Sequence, residues 1–206
     1  MSSPRNIALL LIDFQNDMVH PAGKIGANGL AACVSARDIL SRTRSVADVF
    51  RNYGLPVIFV RLAFQAEYVD SLSVAPRIAK LKAAGAALID TWGAAIHEDL
   101  QPRAGDLVFN KQCVNPFFNT PLLSWLGRHN IRELAIAGVA TNLAVESAVR
   151  YADDAGIAPI VLEDCCASVN DEMHQLSVTR ILPIFGSVES SEKCIDRLSK
   201  MGTTQV

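Results

Sequence analysis

The apolar run at residues 7–12, IALLLI, constrains the fold of this chain more than any other feature. A strand that is apolar at every position is buried on both faces, which is typical of a parallel sheet covered by helices on both sides. Five further segments of strand-like character follow it along the chain. The six predicted strands are residues 7–12, 56–61, 107–110, 133–137, 159–162 and 182–186.

Segments with helical periodicity separate these strands, at residues 30–53, 119–129, 142–155, 172–181 and 191–200. Such alternation favours right-handed crossovers and predicts an α/β fold, a three-layer, doubly wound, mostly parallel six-stranded sheet of Rossmann-like type. Residues 62–103 are the exception, because this stretch is long and only weakly periodic, as loops that cover a site often are. No repeat or linker divides the chain, so we expect one domain over residues 1–206.

Composition and charge narrow the range of partners. The chain has 206 residues, of which 50% are hydrophobic, enough for one sizeable core. Its net charge is −2 and it has no block of lysine and arginine, which argues against nucleic acid and membrane surfaces as partners and favours a small-molecule substrate. No apolar run reaches the roughly 18 residues that span a bilayer. Five cysteines without a CxxC pair indicate a reduced, cytoplasmic protein.

Candidate catalytic groups stand at the ends of three predicted strands. Asp13 closes the first strand, Lys111 follows the third, and residues 138–146 (GVATNLAVE) form an elbow between the fourth strand and a helix. Ligands of such folds bind beyond the carboxyl ends of the strands, and a helix start offers N–H groups to an anion. An acid, a base and an elbow therefore predict a reaction site, although Ala144 occupies the position of an elbow nucleophile.

Three segments resemble the isochorismatase-like (cysteine hydrolase) superfamily. They are LLLIDFQNDMV at residues 9–19, FNKQCVNPFFNTPL at 109–122 and GVATNLAVESAVRYADDAG at 138–156, in the family's order. The resemblance implies that Asp13 is the catalytic acid or base. It also implies that Lys111 orients Asp13 and stabilises negative charge on the substrate.

The resemblance spans roughly residues 7–190 and also implies roles for the elbow. Ala140 and Thr141 stand where the family forms its oxyanion hole, usually with a cis peptide before Ala140. The backbone N–H groups of Ala140 and Ala144 are the expected donors to a developing oxyanion. Amide-cleaving members of the family have a cysteine at the position of Ala144.

Two explanations of Ala144 remain open. If it replaces a catalytic cysteine, the expected reaction is hydrolysis of a C–N bond in an amide or ureide. If the chain belongs to a branch without cysteine, Asp13 and Lys111 suffice for vinyl-ether hydrolysis of isochorismate type. A third possibility is an inactive relative that binds a metabolite. Cys113 is a weak candidate as a substitute nucleophile, because it lies on a different segment.

Substrate contacts are predicted from aromatic and polar residues near these motifs. We expect contacts from Phe14, Arg61, Trp92, Phe117 and Thr141. A metal is not expected, because the four histidines have no ligand spacing and residues 61–70 contain none. No cofactor is expected either. The resemblance, together with the apolar 62–103 segment, favours a homodimer or homotetramer.

Overall fold

A computed structural model describes residues 6–203, and six strands in it form one sheet. The strands are β1 (Ile7–Ile12), β2 (Val57–Leu62), β3 (Leu107–Lys111), β4 (Glu133–Val139), β5 (Ala158–Ala167) and β6 (Ser187–Glu189). Their order is β3-β2-β1-β4-β5-β6, and every neighbouring pair is parallel. The predicted α/β, doubly wound fold is confirmed. Residues 1–5 and 204–206 of the predicted domain lie outside the described residues.

Helices cover both faces of the sheet. They are α1 (Asn16–Val19), α2 (Leu30–Ala36), α3 (Ile39–Asn52), α4 (Pro76–Ala84), α5 (Leu122–Arg128), α6 (Glu146–Asp154), α7 (Asp171–Leu176) and α8 (Ser191–Thr203). Side chains alternate across a strand, so Leu9 and Leu11 of β1 pack in a core with α2, α3 and α8. Leu10 and Ile12 pack on the other face with α5 and α6. No helix within residues 6–203 is both long and apolar enough to cross a membrane.

The predicted helix at residues 30–53 is two helices, α2 and α3. Between them Asp38 adopts a left-handed conformation, with φ 52° and ψ 36°, which aspartate tolerates better than most residues. The guanidinium of Arg37 donates to the carbonyl of Cys166 at 3.1 Å and so ties the break to β5. The helical periodicity continues across this break, so the break could not be predicted from the sequence.

The predicted strand at residues 182–186 is wrong. Leu182–Ile184 forms a 3-10 turn with Pro183 in its first positions, and a proline has no N–H to donate to a sheet. Gly186 then passes so close to Pro159 that a Cβ on it would be 2.4 Å from the carbonyl oxygen of Pro159. The sixth strand is consequently the three-residue β6, which follows the predicted segment.

Two of the predicted helices contain π-helical turns. Residues 142–155 were expected to be one helix, but Thr141–Val145 is a π-helical turn and α6 begins only at Glu146. The segment at 172–181 likewise continues from α7 into the π-helical turn Ser177–Ile181. Such turns are frequent at functional sites, and the first of them carries Ala144.

The segment at residues 62–103 is more ordered than its weak periodicity predicts. It contains α4, and Asp17 fastens it to the start of the chain. One carboxylate oxygen of the buried Asp17 accepts from the N–H of Lys24 at 3.0 Å, and the other accepts from the N–H of Ala87 at 2.7 Å. The hydroxyl of Tyr68 donates to the carbonyl of Ala86 at 2.7 Å.

Candidate active site

The structure brings Asp13 and Lys111 together, although 98 positions separate them in the sequence. Asp13 follows β1 and Lys111 ends β3, so the lysine side chain reaches across the end of β2, which lies between them. The Nζ of Lys111 donates to Oδ2 of Asp13 at 2.8 Å. Both side chains are buried, with exposed fractions of 2% for Lys111 and 4% for Asp13, so water has little access to the contact.

Backbone groups fix the orientation of both partners. Oδ1 of Asp13 accepts from the N–H of Leu62 at 3.0 Å. The ammonium of Lys111 also donates to the carbonyls of Cys113 and Val114, at 3.1 and 3.0 Å. An ammonium has three donors, so Lys111 has none left for another ligand.

Burial raises the pKa of Asp13 above its ordinary value. The charge of Lys111, its hydrogen bond and the N–H of Leu62 act in the opposite direction, but desolvation is the largest effect. Asp13 can therefore hold a proton at a pH where an exposed aspartate is ionised. A carboxyl group of this kind suits proton transfer to a bound molecule.

Hydrogen bonds to α7 and the end of β5 support the elbow. The peptide between Val139 and Ala140 is cis, as the resemblance implies. Thr141 Oγ1 and His174 Nδ1 share a buried hydrogen bond of 2.9 Å. Burial lowers the pKa of His174 to about 4, so this ring is neutral near pH 7. Ser168 Oγ donates to the side-chain oxygen of Asn142 at 2.8 Å.

A cavity of about 320 Å³ opens beside the ion pair. Asp13, Lys111, Ala140 and Ala144 all border it, so the structure unites the predicted acid, its partner and the elbow. Ala144, at which the resemblance implies a nucleophile in amide-cleaving relatives, has only a methyl group. Helix α4 supplies part of the lining, so a portion of the 62–103 segment borders this cavity.

Two of the five predicted substrate contacts belong to the core instead. Phe14 follows Asp13 directly, but it is fully buried with Leu9 and Leu11 on the α3 side of the sheet. Phe117 is buried on the other side and stacks on Tyr151, with ring centroids 4.8 Å apart. Neither ring borders the cavity, because each is turned towards a core layer.

The other three predicted contacts also lie away from the cavity lining. Arg61 donates to the side-chain oxygen of Asn110 at 2.9 Å and to the carbonyl of Ala94 at 2.9 Å. Trp92 is half-exposed and meets the ring of His20 edge-on. Thr141 is buried against His174, as described above. All three side chains are engaged in structural contacts.

Cys113 borders the cavity but has no feature of an activated nucleophile. Its thiol donates to the carbonyl of Asn115 at 3.2 Å. Burial raises the pKa of this thiol, and the opposing charge of Lys111 is a smaller effect. A thiol with a raised pKa supplies little thiolate, which is the reactive form.

The structure adds residues that the sequence analysis missed. Gln15 is fully buried and binds both backbone groups of Leu62, donating to its carbonyl at 2.7 Å and accepting from its N–H at 2.8 Å. Arg77 and Lys80 of α4 border the cavity. Two sequence features could have indicated these residues. Gln15 is a polar residue two positions after Asp13, and Arg77 and Lys80 are basic residues three apart that follow Pro76. Within residues 6–203, no histidine, cysteine and carboxylate side chains are grouped so as to hold a metal ion.

Comparison with known proteins identifies the family of this chain. Residues 7–193 match the model of the isochorismatase domain family. A cysteine hydrolase from Pseudomonas syringae pv. phaseolicola 1448A has a similar structure, with a TM-score of 0.85 and 20% identity over 97% of this chain and 95% of that one. An isochorismatase family protein from Desulfovibrio vulgaris subsp. vulgaris str. Hildenborough superposes with a TM-score of 0.83 and 20% identity, covering 95% and 99% of the two chains.

The N-carbamoylsarcosine amidase from Thermoplasma acidophilum is similar as well. Its TM-score is 0.70, with 22% identity over 90% of this chain and 96% of the amidase. At such identities the solved structures establish the fold, whereas the family model covers most of the chain. The chain therefore belongs to the isochorismatase family of hydrolases.

Proposed function

We propose that this chain hydrolyses a small molecule by protonating it from Asp13, without a covalent enzyme intermediate, as in vinyl-ether hydrolysis of isochorismate type. One observation carries the proposal: a buried carboxyl with a raised pKa faces the same cavity as the methyl group of Ala144. The site thus offers a proton donor, and it offers no thiol at the elbow.

The reaction balances with water as the only co-reactant. Asp13 transfers its proton to the terminal methylene carbon of the vinyl ether, whose π electrons form the new C–H bond. The resulting oxocarbenium ion takes up water, which releases one proton back to Asp13 and leaves a hemiketal; Lys111 stabilises the Asp13 carboxylate in the interval. The hemiketal then collapses: its C–O bond to the leaving group breaks, its hydroxyl becomes the carbonyl, and the hydroxyl proton passes to the leaving oxygen to give the alcohol.

Isochorismate tests this function directly. The purified chain should convert it to pyruvate and a dihydroxy acid, and pyruvate can be measured with a coupled dehydrogenase. Absence of pyruvate at high enzyme concentration, from a chain that is folded by circular dichroism, would contradict the isochorismate form of the proposal.

The rate should fall as the pH rises. The folded state raises the pKa of Asp13, so the protonated, active form persists above the ordinary range of an aspartate and is lost as the pH passes the folded pKa. We expect kcat/KM to decrease tenfold for each further pH unit. The pH profile of kcat/KM, measured with isochorismate, checks this expectation. A kcat/KM that instead increases as a group is deprotonated in the acid range would contradict the role of Asp13 as an acid.

Hydrolysis of a C–N bond is the second candidate. Ala144 borders the cavity with Asp13 and Lys111, two residues before α6, and the fold is similar to that of N-carbamoylsarcosine amidase. In that reaction Asp13 would accept the proton of a thiol at position 144 and pass it to the leaving amine. The parent chain lacks the thiol, and the amidase reaction would need one.

The variant Ala144→Cys tests the second candidate. Lys111 and the nearby start of α6 favour a thiolate, so the new thiol should have a lower pKa than a thiol placed at Leu143, which is half-exposed. The pH dependence of alkylation by iodoacetamide in Ala144→Cys and Leu143→Cys measures the difference. Ammonia release from N-carbamoylsarcosine by Ala144→Cys would support an amidase scaffold. Equal thiol pKa values in the two variants would argue against it.

A further inference from the structure

Helix α4 turns one face towards the cavity. Its residues Arg77, Lys80, Leu81 and Ala84, spaced three, four and seven apart, all border the cavity together with Ile78. This spacing places them along one side of a helix. The part of the lining that α4 supplies therefore combines apolar side chains with two cations.

The two cations of α4 that border the cavity have no carboxylate partner in the described part of the chain. Among residues 6–203, neither Arg77 nor Lys80 forms an ion pair or a side-chain hydrogen bond. The third cation of α4, Lys82, does have a partner, because its Nζ lies 5.9 Å from the centroid of the Tyr68 ring. Arg77 borders the same cavity as Lys111, the last residue of β3, and Cys113, which follows it.

The other two cations at the cavity already have partners. The ammonium of Lys111 is saturated by Asp13 and two carbonyls, as described above. The Nζ of Lys24 donates to the carbonyl of Gly85 at 2.7 Å, directly after α4. Within residues 6–203, Arg77 and Lys80 are therefore the two of these four cations whose side-chain donors are all free for a bound anion, whereas Lys24 has one donor engaged.

The cavity lining differs in charge from the protein as a whole. The chain has a net charge of −2, yet the lining has four cationic side chains and a single carboxylate, Asp13. Nearly all other lining residues are apolar, among them Leu30, Leu81, Leu143 and Val169. Such a cavity attracts an anion by its field and holds an apolar group by contact.

We propose that the substrate is a small organic acid with an apolar body, whose carboxylate binds Arg77 and Lys80 of α4. The planar guanidinium of Arg77 matches the two oxygens of a carboxylate, and the apolar body contacts Leu81 and Leu143. The inference rests on the proposed function only in taking the cavity at Asp13 as the substrate site. It makes Arg77 and Lys80 determinants of specificity.

Paired probes of equal shape test the proposal by binding alone. The ligands are 3-phenylpropionate and its neutral amide, 3-phenylpropionamide, titrated by calorimetry at low ionic strength. We expect the acid to bind about tenfold more tightly than the amide, because only the acid forms charge-assisted hydrogen bonds. Replacing both cations (Arg77→Gln with Lys80→Gln) should remove this preference and leave binding of the amide unchanged. The control Lys82→Gln, on the same helix but over Tyr68, should bind both probes as the parent does.

The same titrations in Asp13→Asn separate this proposal from the proposed function. If the parent chain produces no pyruvate from isochorismate while the preference for the acid persists in Asp13→Asn, the inference is supported and the proposed reaction fails. Equal affinities for acid and amide in the parent would overturn the inference. Unchanged preference in the Arg77→Gln and Lys80→Gln double variant, or absence of binding by both probes, would overturn it as well.

Discussion

Asp13→Asn is expected to abolish turnover, with a loss in kcat/KM of about a thousandfold or more, because an amide cannot donate or regain the proton. The change also disturbs the ion pair. Asp13 accepts hydrogen bonds from Leu62 and Lys111 on its two oxygens, whereas asparagine has one oxygen and turns its NH₂ towards the other donor. We therefore expect a lower free energy of unfolding, by about 1–3 kcal/mol. Initial rates and denaturant unfolding measure the two effects.

A second variant separates loss of chemistry from loss of stability. Adding Lys111→Met to Asp13→Asn removes the buried ammonium that the single variant leaves without its carboxylate. Stability should then recover in part, because an unpaired buried charge is costlier than an apolar chain of similar length. Activity should remain absent in both variants. Full activity in a folded Asp13→Asn protein would refute the role of Asp13 as the proton donor.

Gly138→Ala is expected to be the most destabilising small substitution in the sheet. A Cβ at Gly138 would lie 2.5 Å from the carbonyl oxygen and 2.8 Å from the Cβ of Ile12, its register partner in β1. Both strands are held by ladders on either side, so neither backbone can move away cheaply. We expect the free energy of unfolding to fall by about 3 kcal/mol or more, which denaturant titration followed by circular dichroism measures.

Gly127→Ala is the matched control for that experiment. Gly127 lies inside α5, and no heavy atom is within 4 Å of a Cβ built there. Alanine is favoured over glycine inside a helix by up to about 1 kcal/mol, so this variant should be as stable as the parent or more so. If Gly138→Ala were as stable as Gly127→Ala, the result would contradict the close approach of β4 to β1 at Gly138.

The central strands could be predicted because burial on both faces leaves a plain apolar run. β1 is buried at all six positions, and the predicted range 7–12 is the observed one. The edge strand β6 has only one buried residue in three, so it lacks an apolar run, and the strand was predicted in the more apolar segment before it. Helix α4 was not predicted for a similar reason, because only Ile78 is buried within it.

The positions of Asp13 and Lys111 were more predictable than the walls of the cavity. Both residues stand at strand ends, where the topology fixes their positions, and their motifs resemble those of the family. Phe14 and Trp92 were predicted as pocket residues from their aromatic character, which does not determine where a side chain points. Phe14 turns into the core one residue after Asp13, whereas the wall comes from α4, far along the chain.

The attachment of α4 has a consequence for how such a protein can change over generations. As proposed above, Asp13 and Lys111 carry the chemistry from the ends of β1 and β3, while recognition comes from α4, within the crossover from β2 to β3. Between β2 and β3, at residues 63–106, the chain adds no strand to the sheet. Asp17 attaches this crossover to the preceding part of the chain, because its carboxylate binds the backbone of both Lys24 and Ala87. Under these proposals, substrate preference could change through the crossover alone, with Asp13 and Lys111 retained.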